Sequence, residues 1–392
     1  MNLFHIVLKS LRQHALSTWV TAVSIALAGG LLMSVWSVKI QSNRAFTNVS
    51  GGFDAVLGAR GSKLQLVLNS IYHLEASPGN MKWQDFLDVQ ANRSVAEAIP
   101  LAVGDNFYGY RIVGTSTNMF SKTPVANGRV FNAGYREALA GSFAAQKLGL
   151  KVGDSFQPFH GLIFNPDDQH GEHYVVVGVL EPSNSPADRV IWIPLEGVQN
   201  MTGHDPNTAA DISSVLVRLR TPIAGQQLDT LYNKRGDRLT FAWPIGAIMT
   251  QLFDKISWFD QVLAIVAYLV AAVATGSILA SIYNSMNERR RDFAIFRALG
   301  ARRHTIFSAI ILESTFIASL GMVIAFGIYL VIMLGAASVI RTQTGVVLNP
   351  YAWHPVMIWA PLGMIAAAAL AGTIPAFKAY RTDVASNLVP VS

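Results

Sequence analysis

Two sets of residues in this chain carry groups able to do chemistry. The first is Asp167-Asp168-Gln169-His170-Gly171-Glu172-His173, with His160 shortly before it. Imidazoles and carboxylates this close together suit zinc or a similar ion. The candidate ligands are His160, Asp168, His170, Glu172 and His173. His170 and His173 could share a helix face, but Pro166 and Gly171 point to a loop. A solvated polar loop leading into a strand is the competing reading. No paired nucleophile and base accompany these residues, so catalysis is not expected. The second is a lone acid, Glu313, inside an apolar run. An intramembrane carboxylate is a functional candidate by default. It lies only about two helical turns from the cytoplasmic end of its run, so snorkelling or pairing with nearby arginines competes with a transport role.

The elements that hold these residues follow from composition. Of 392 residues, 51% are hydrophobic and only 14% charged, against roughly a quarter charged in soluble domains. The deficit is local. Residues 17–38, 259–284, 305–336 and 356–377 are almost free of charge, and about 20 apolar residues cross a bilayer. The third run exceeds that length, so it tilts or projects past the membrane. The expected fold class is an α-helical membrane protein with four transmembrane helices and a large α+β extracytoplasmic domain between the first and second.

The net charge of +6 does not indicate a nucleic-acid partner, because the basic residues flank apolar runs and form no soluble stripe. Lys9 and Arg12 precede the first run. Arg289, Arg290, Arg291, Arg297, Arg302 and Arg303 lie between the second and third, and Lys378 and Arg381 follow the fourth. Only Arg341 lies between the third and fourth. By the positive-inside rule both termini and the Arg-rich connection are cytoplasmic. Residues 39–258 are then external, 337–355 form a short extracytoplasmic loop, and 378–392 a cytoplasmic tail. Residues 1–16 read as an interfacial helix on the inner leaflet, with Leu3, Val7, Leu8, Leu11 and Ala15 on one face. The run after it is longer than a signal-peptide core and lacks a clear cleavage site, which favours an uncleaved anchor. With no cysteine, the external domain must be held by its own core.

That domain reads as one compact body of mixed α and β, with two lobes. Residues 107–113, 174–180, 190–193 and 214–219 read as strands. Residues 135–150 read as a helix closed near Gly149, and 83–92 as a weak helix. Small residues recur at interval four: Ala26 and Gly30; Ala272, Gly276 and Ala280; Gly321 and Ala325. Such residues let helices approach closely in lipid, within one chain or across a dimer.

Residues 287–304 form a basic segment between two apolar runs, so they cannot lie in hydrocarbon. Phe293, Phe296 and Leu299 recur every three residues and offer one apolar face. Glu288 near the start and Arg297 near the end suit the helix dipole, and Gly300 suits a C-terminal cap. The segment reads as a short cytoplasmic helix on which a soluble partner can dock. A routine basic loop that fixes topology is the alternative.

Its core, Phe293-Ala294-Ile295-Phe296-Arg297-Ala298-Leu299-Gly300-Ala301, resembles the signature of FtsX-like permeases, the membrane subunits of MacB-like (type VII) ABC systems. Residues 8–28 are similar to the family's entry helix and first span. Asn127-Gly128-Arg129, then 144–154, Val177-Gly178-Val179-Leu180 and Ile193-Pro194-Leu195 are similar to its periplasmic core domain. The closing stretch 375–383 resembles the family's last motif. Residues 54–70 depart from the drug-exporting members.

The resemblance implies a bacterial inner-membrane permease that acts as a dimer, with an identical or a different second copy. It also implies a separate ABC ATPase subunit docking through Glu288, Arg289, Arg290, Arg291, Phe293, Phe296, Arg297, Leu299 and Gly300. ATP and magnesium would belong to that partner, with no cofactor in this chain. The chain contains no phosphate-binding G-x-x-x-x-G-K-[ST] motif, so hydrolysis by the chain itself is not expected. The implied function is transmission of ATP-driven motion across the membrane, with export or extraction of a hydrophobic or envelope substrate. Two alternatives stay open: a non-transporting signal transmitter acting on a periplasmic protein, and a metal-linked system using the His-rich loop.

Overall fold

The computed structural model of the chain describes residues 3–48, 50–203, 208–288, 294–295, 297–298 and 300–381. Helices α1 (Leu3–Gln13) and α2 (Ala15–Asn48) come first. Then come α3 (Lys63–Ser70), α4 (Trp83–Gln90), α5 (Ser142–Leu148), α6 (Leu195–Gln199) and α7 (Pro222–Asp229). The long helices α8 (Ile245–Glu288), α9 (Arg303–Thr344) and α10 (Val356–Arg381) follow. The chain divides into two compact units. One holds Met1–Gln41, Ser257–Ser338 and Asn349–Ser392; the other holds Ser42–Ile256 and Val339–Leu348.

The first unit is helical. Helices α2, α8, α9 and α10 are each long and apolar enough to cross a membrane. Hydrocarbon offers backbone groups no partner, so a spanning segment must satisfy them within its own helix. Ala22, Ile25, Ala26, Ile278, Ile317, Met322 and Ala368 form part of the buried core of this unit. A Cβ on Gly30 would stand 2.7 Å from Ile328 Cγ2, and one on Gly321 would stand 2.8 Å from Ile25 Cβ. The small residues of α2 and α9 therefore pack within the chain. Those of α8 do not: Ala272, Gly276 and Ala280 are exposed. The apolar face of α1 also divides, with Val7 and Leu11 buried in the helical core and Phe4 and Leu8 exposed.

The second unit is built on β1 (Ala55–Ala59), β2 (Val95–Phe107), β3 (Tyr110–Thr115), β4 (Val125–Gly128), β5 (Glu137–Ala140) and β6 (Ser155–Phe156). The remaining strands are β7 (Phe159–His160), β8 (Tyr174–Leu180), β9 (Ile191–Pro194), β10 (Ser214–Leu219) and β11 (Leu239–Ala242). They form one sheet in the order β11-β1-β10-β2-β3-β9-β5-β8-β4, with β6 beside β8 and β7 beside β2. Successive side chains of a strand point to opposite faces. On β1, Leu57 joins one core cluster and Val56 the other; on β9, Ile191 and Ile193 join one and Trp192 the other. With both faces buried, these strands read as continuous apolar runs rather than alternating ones.

One face packs against Phe86 and Val89 of α4, Val198 of α6 and Leu228 of α7. The other face packs against Leu66 and Val67 of α3, and also against Ile245, Ile248 and Met249 of α8. Phe46 of α2 and Leu252 and Phe253 of α8 pack on the same cluster. Phe46 stacks on Tyr72 at 5.5 Å between ring centroids, and the Tyr72 hydroxyl donates to the Phe46 carbonyl. The last turn of α9 belongs to this unit as well. The Arg341 guanidinium lies 5.3 Å from the Phe143 ring centroid, and Arg189 donates to the Gln343 carbonyl.

Several expectations need correction. Residues 107–113 are not one strand. The chain reverses at Tyr108 and Gly109, with φ +47° and +82°, as a two-residue hairpin turn of the primed kind requires. Asn106 Oδ1 accepts from the Gly109 N–H at 2.9 Å and braces that turn. Residues 135–150 contain β5 followed by α5 rather than one helix, because Glu137–Ala140 pairs with both β8 and β9. The expected loop 337–355 is helical as far as Thr344, and α8 begins well before residue 259.

The Asn127-Gly128-Arg129 element closes an edge of the sheet. Gly128 has φ +81°, and a Cβ there would stand 2.1 Å from the Val177 carbonyl oxygen, so only glycine fits. Arg129 Nη1 and Nη2 donate to the two Glu137 oxygens at 2.7 and 2.5 Å. These bonds hold the Glu137 carboxyl below its usual range, helped by the Asn132 N–H and opposed by burial. A carboxyl depressed in the folded state adds stability above its unfolded pKa of about 4.3, and loses it as pH falls through the lower folded value. Glu137→Gln should therefore melt below wild type at pH 7, and the gap should narrow on acidification toward pH ~3. Calorimetric melting against pH checks this; a gap that stays constant with pH would contradict it.

Candidate functional site

The basic segment 287–304 is described in part. Arg289, Arg290, Arg291, Phe293, Phe296 and Leu299 lie outside the described residues. Ala294, Ile295, Arg297 and Ala298 are helical. Gly300 has φ +98°, and its N–H donates to the Arg297 carbonyl at 3.0 Å, so it closes the turn as a left-handed cap. Glu288 lies 3.5 Å from His14 Nδ1, beside the break between α1 and α2. Lys378 donates to the Tyr283 hydroxyl and lies 4.4 Å from that ring's centroid. The Arg303 guanidinium lies 5.6 Å from the Tyr380 ring centroid. An open cleft of about 490 Å³ is lined by Arg297, Gly300, Arg302, Arg303, His304 and Tyr380. Its basic rim suits an acidic protein surface.

The sheet brings together two of the five candidate metal ligands and adds a third residue. Strand β7 pairs with β2 so that His160 lies opposite Asp105. The His170 N–H donates to the Pro158 carbonyl at 2.9 Å, which returns the chain to the same place. His170 Nε2 lies 3.0 Å and His160 Nδ1 3.5 Å from Asp105 Oδ1. One ligand atom from each of Asp105, His160 and His170 lies within 4.8 Å of the others. Asp105 is fully buried, His170 nearly so, and His160 is exposed.

The other His170 nitrogen, Nδ1, lies 2.8 Å from the Thr202 carbonyl. A carbonyl only accepts, so Nδ1 carries a proton. Nε2 then faces a carboxylate either as the second N–H of an imidazolium or as a lone pair sharing a cation. The carbonyl on the far nitrogen is the partner that orients metal-bound imidazoles. Two imidazoles and a carboxylate suit zinc or iron(II).

The remaining candidates lie elsewhere. Asp168 is exposed and accepts from Asn165 Nδ2 at 2.7 Å. Glu172 accepts from the Thr202 N–H and hydroxyl, each at 3.0 Å. Burial opposes its ionisation, but these bonds outweigh that and hold its carboxyl below the usual range. Glu172 thus holds the Thr202 backbone in place. His173 is exposed beside Tyr174, at the start of β8. Asp105 was not foreseen, because it comes from a distant strand and no local spacing points to it. A cleft of about 300 Å³ opens beside His160, lined also by Gly104, Val198, Gly203, Asp211 and Ser213.

Glu313 is buried in the helical unit and accepts from the Ser10 hydroxyl at 2.6 Å, joining α1 to α9. Removing one donor from a buried carboxyl group costs about 1–3 kcal/mol. Ser10→Ala should lower stability by that amount. Ser24→Ala should be nearly neutral, since the Ser24 hydroxyl bonds to the Val20 carbonyl of its own helix. Melting in detergent compares the two; equal effects would remove the α1–α9 tie.

Comparison with known proteins agrees with this architecture. The MacB-like periplasmic core domain matches residues 18–230, and the FtsX-like permease C-terminal region matches residues 264–384. The chain is similar to the extracellular domain of the noncanonic ABC-type transporter YknZ from Gram-positive bacteria. Identity there is 16%, with 48% of this chain and 98% of that one covered and a TM-score of 0.31. It is also similar to the periplasmic region of MacB from Actinobacillus actinomycetemcomitans, at 13% identity, covering 54% of this chain and 98% of that one with a TM-score of 0.36. No curated protein matches the chain. With more than half its length matched by the periplasmic core model and most of the remainder by the permease model, the chain belongs to the MacB/FtsX-like permease family of ABC transporters.

Proposed function

We propose that this permease transmits ATP-driven motion from a separate ATPase on the cytoplasmic side to its external domain. One observation supports the reading above others: the long helices do not end where their apolar stretches end. Helix α8 runs unbroken for 44 residues, a length of ~66 Å against a hydrocarbon core of ~30 Å. Its first turns are built into the core of the sheet domain, as is Phe46 of α2. The end of α9 is held there by Arg189 and Phe143. No Gly- or Pro-rich linker separates span from domain on these three helices. A push on the cytoplasmic ends would reach the sheet through rigid rods, as a hinge or shear transition driven from the far side.

In this reading both termini are cytoplasmic, the membrane is a bacterial inner membrane, and the ATPase docks on the basic segment 287–304. ATP and magnesium belong to that ATPase. The exposed small residues of α8, Ala272, Gly276 and Ala280, supply a face on which a second permease copy packs. The cargo is hydrophobic or envelope-derived.

The test uses two variants of the complex. The chain has no cysteine, so Ile163→Cys, at a position 85% exposed, takes a single spin label on the external domain. Phe296→Asp with Leu299→Asp should abolish copurification of the ATPase. Ser257→Gly with Trp258→Gly softens α8 by about 1 kcal/mol of helix propensity. That variant should retain the ATPase yet lose the nucleotide-dependent change in label-to-label distance across the dimer. Full retention of that change would contradict transmission through α8.

A second reading, a metal-linked system, is favoured by the convergence of Asp105, His160 and His170. Zinc should then bind the purified chain saturably. His160→Ala should weaken binding at least 10-fold, while His173→Ala should leave it unchanged. Calorimetry decides; no saturable binding, or equal binding by both variants, removes the site.

A further inference from the structure

A separate cluster of buried charge lies in the same external unit, and one of its members, Arg189, also holds the end of α9. Arg111 belongs to β3, and Arg189 lies just before β9; the two strands are parallel neighbours, with Ile112 beside Ile191. Arg111 is only 9% exposed. Its Nη1 is buried without a hydrogen-bond partner, and so are Arg189 Nε and His73 Nδ1. Arg189 is anchored from its other side, donating to the Gln343 carbonyl and lying 5.7 Å from the Tyr110 ring centroid. Between these groups lies a polar cavity of about 220 Å³, lined by His73, Tyr110, Arg111, Leu162, Arg189 and Gln343.

Burial pushes the Arg111 guanidinium down to about 10; Glu75 opposes the shift and Arg189 reinforces it. Arg111 still carries its charge at neutral pH. Burial also lowers Arg189. Burial first, then Arg111 and Arg189, holds His73 down at about 3, so its imidazole is neutral. Two guanidinium groups thus face one small cavity, partly dehydrated and repelling each other. Glu75, itself exposed, offsets only part of this penalty, and an incompletely compensated buried cation is unfavourable. A single anion between them would reverse both penalties, and the guanidinium fork matches the oxygens of carboxylate and phosphate.

We propose that this cavity binds the carboxylate or phosphate group of a small solute, held between Arg111 and Arg189. Arg189 would then be shared between the ligand and the end of α9. A Cβ on Gly345 would stand 2.9 Å from Pro186 Cα and 3.2 Å from Arg189 Cγ, so that end is fitted closely to the wall of the site. Occupancy therefore bears on one of the three helices that join span and domain.

The full chain is titrated with inorganic phosphate and with succinate at constant ionic strength, in neutral-lipid nanodiscs, with chloride as control. At least one of the two anions should bind saturably and raise the melting temperature. Arg111→Met should weaken that binding at least 10-fold and, in chloride alone, should melt no lower than wild type, because it removes a buried charge that Glu75 only partly offsets. Arg189→Lys, which keeps the charge but loses the fork, should also bind more weakly. Three results would overturn the proposal: no saturable binding of either anion, wild-type affinity in Arg111→Met or Arg189→Lys, or an Arg111→Met chain that melts lower in chloride or does not fold. Competition of the signal by anionic-lipid nanodiscs would assign the cavity to a lipid headgroup and overturn the small-solute assignment.

Discussion

A backbone in hydrocarbon has no partner but itself, and this chain meets that constraint with helices that continue past the apolar stretch. The hydrogen-bond ladder of α8 enters the sheet domain without interruption. There its side chains Ile245, Ile248 and Met249 become core residues of the sheet. Among the described residues, the second face of that sheet is covered by α3. It is also closed in part by the ends of α2 and α8. The folding of the external domain and the placement of the helix ends are therefore one packing problem. A helix end that moved alone would expose Val56, Ile99, Leu216 and their neighbours, at about 25 cal/mol for each Å² uncovered.

The external domain also contains charge where a purely mechanical part would have none. Asp105 is fully buried against two histidines, and Arg111 is buried against another arginine's field. A buried carboxylate or guanidinium is weak evidence for stability, since well-packed apolar residues often serve as well or better. Both groups lie at sheet positions fixed by strand pairing: Asp105 opposite β7, and Arg111 beside the start of β9. The sheet thus holds two groups of opposite sign at rigid positions, each next to a cleft.

The membrane helices were legible in the sequence because their signal is local: long uncharged runs and flanking arginines. Strands β8 and β10 were legible for the same reason, as β-branched runs bounded by turn residues. The misread stretches are those where distant pairing decides. Residues 137–140 have helix-compatible composition but lie between β8 and β9, whose edges need a strand. The turn at Tyr108–Gly109 was hidden because tyrosine rarely takes a positive φ. The metal candidates fared likewise. His160 and His170 were visible as a local cluster, whereas Asp105 required knowledge of which strand pairs with β7. Glu172 directs both its oxygens to Thr202, a partner that local spacing does not reveal. The basic segment 287–304 offers charge, periodicity and caps, and of these features Gly300 acts as a cap.

The proposed transmission requires α8 to stay helical from its first turns into its apolar stretch. Hydrogen exchange along α8 tests it most directly. The account predicts slow exchange without a break from about Met249 through the junction at Ile256–Ser257 and on into the span. Fast exchange confined to that junction, with protected amides on both sides, would show a hinge where the account requires a rod and would contradict it.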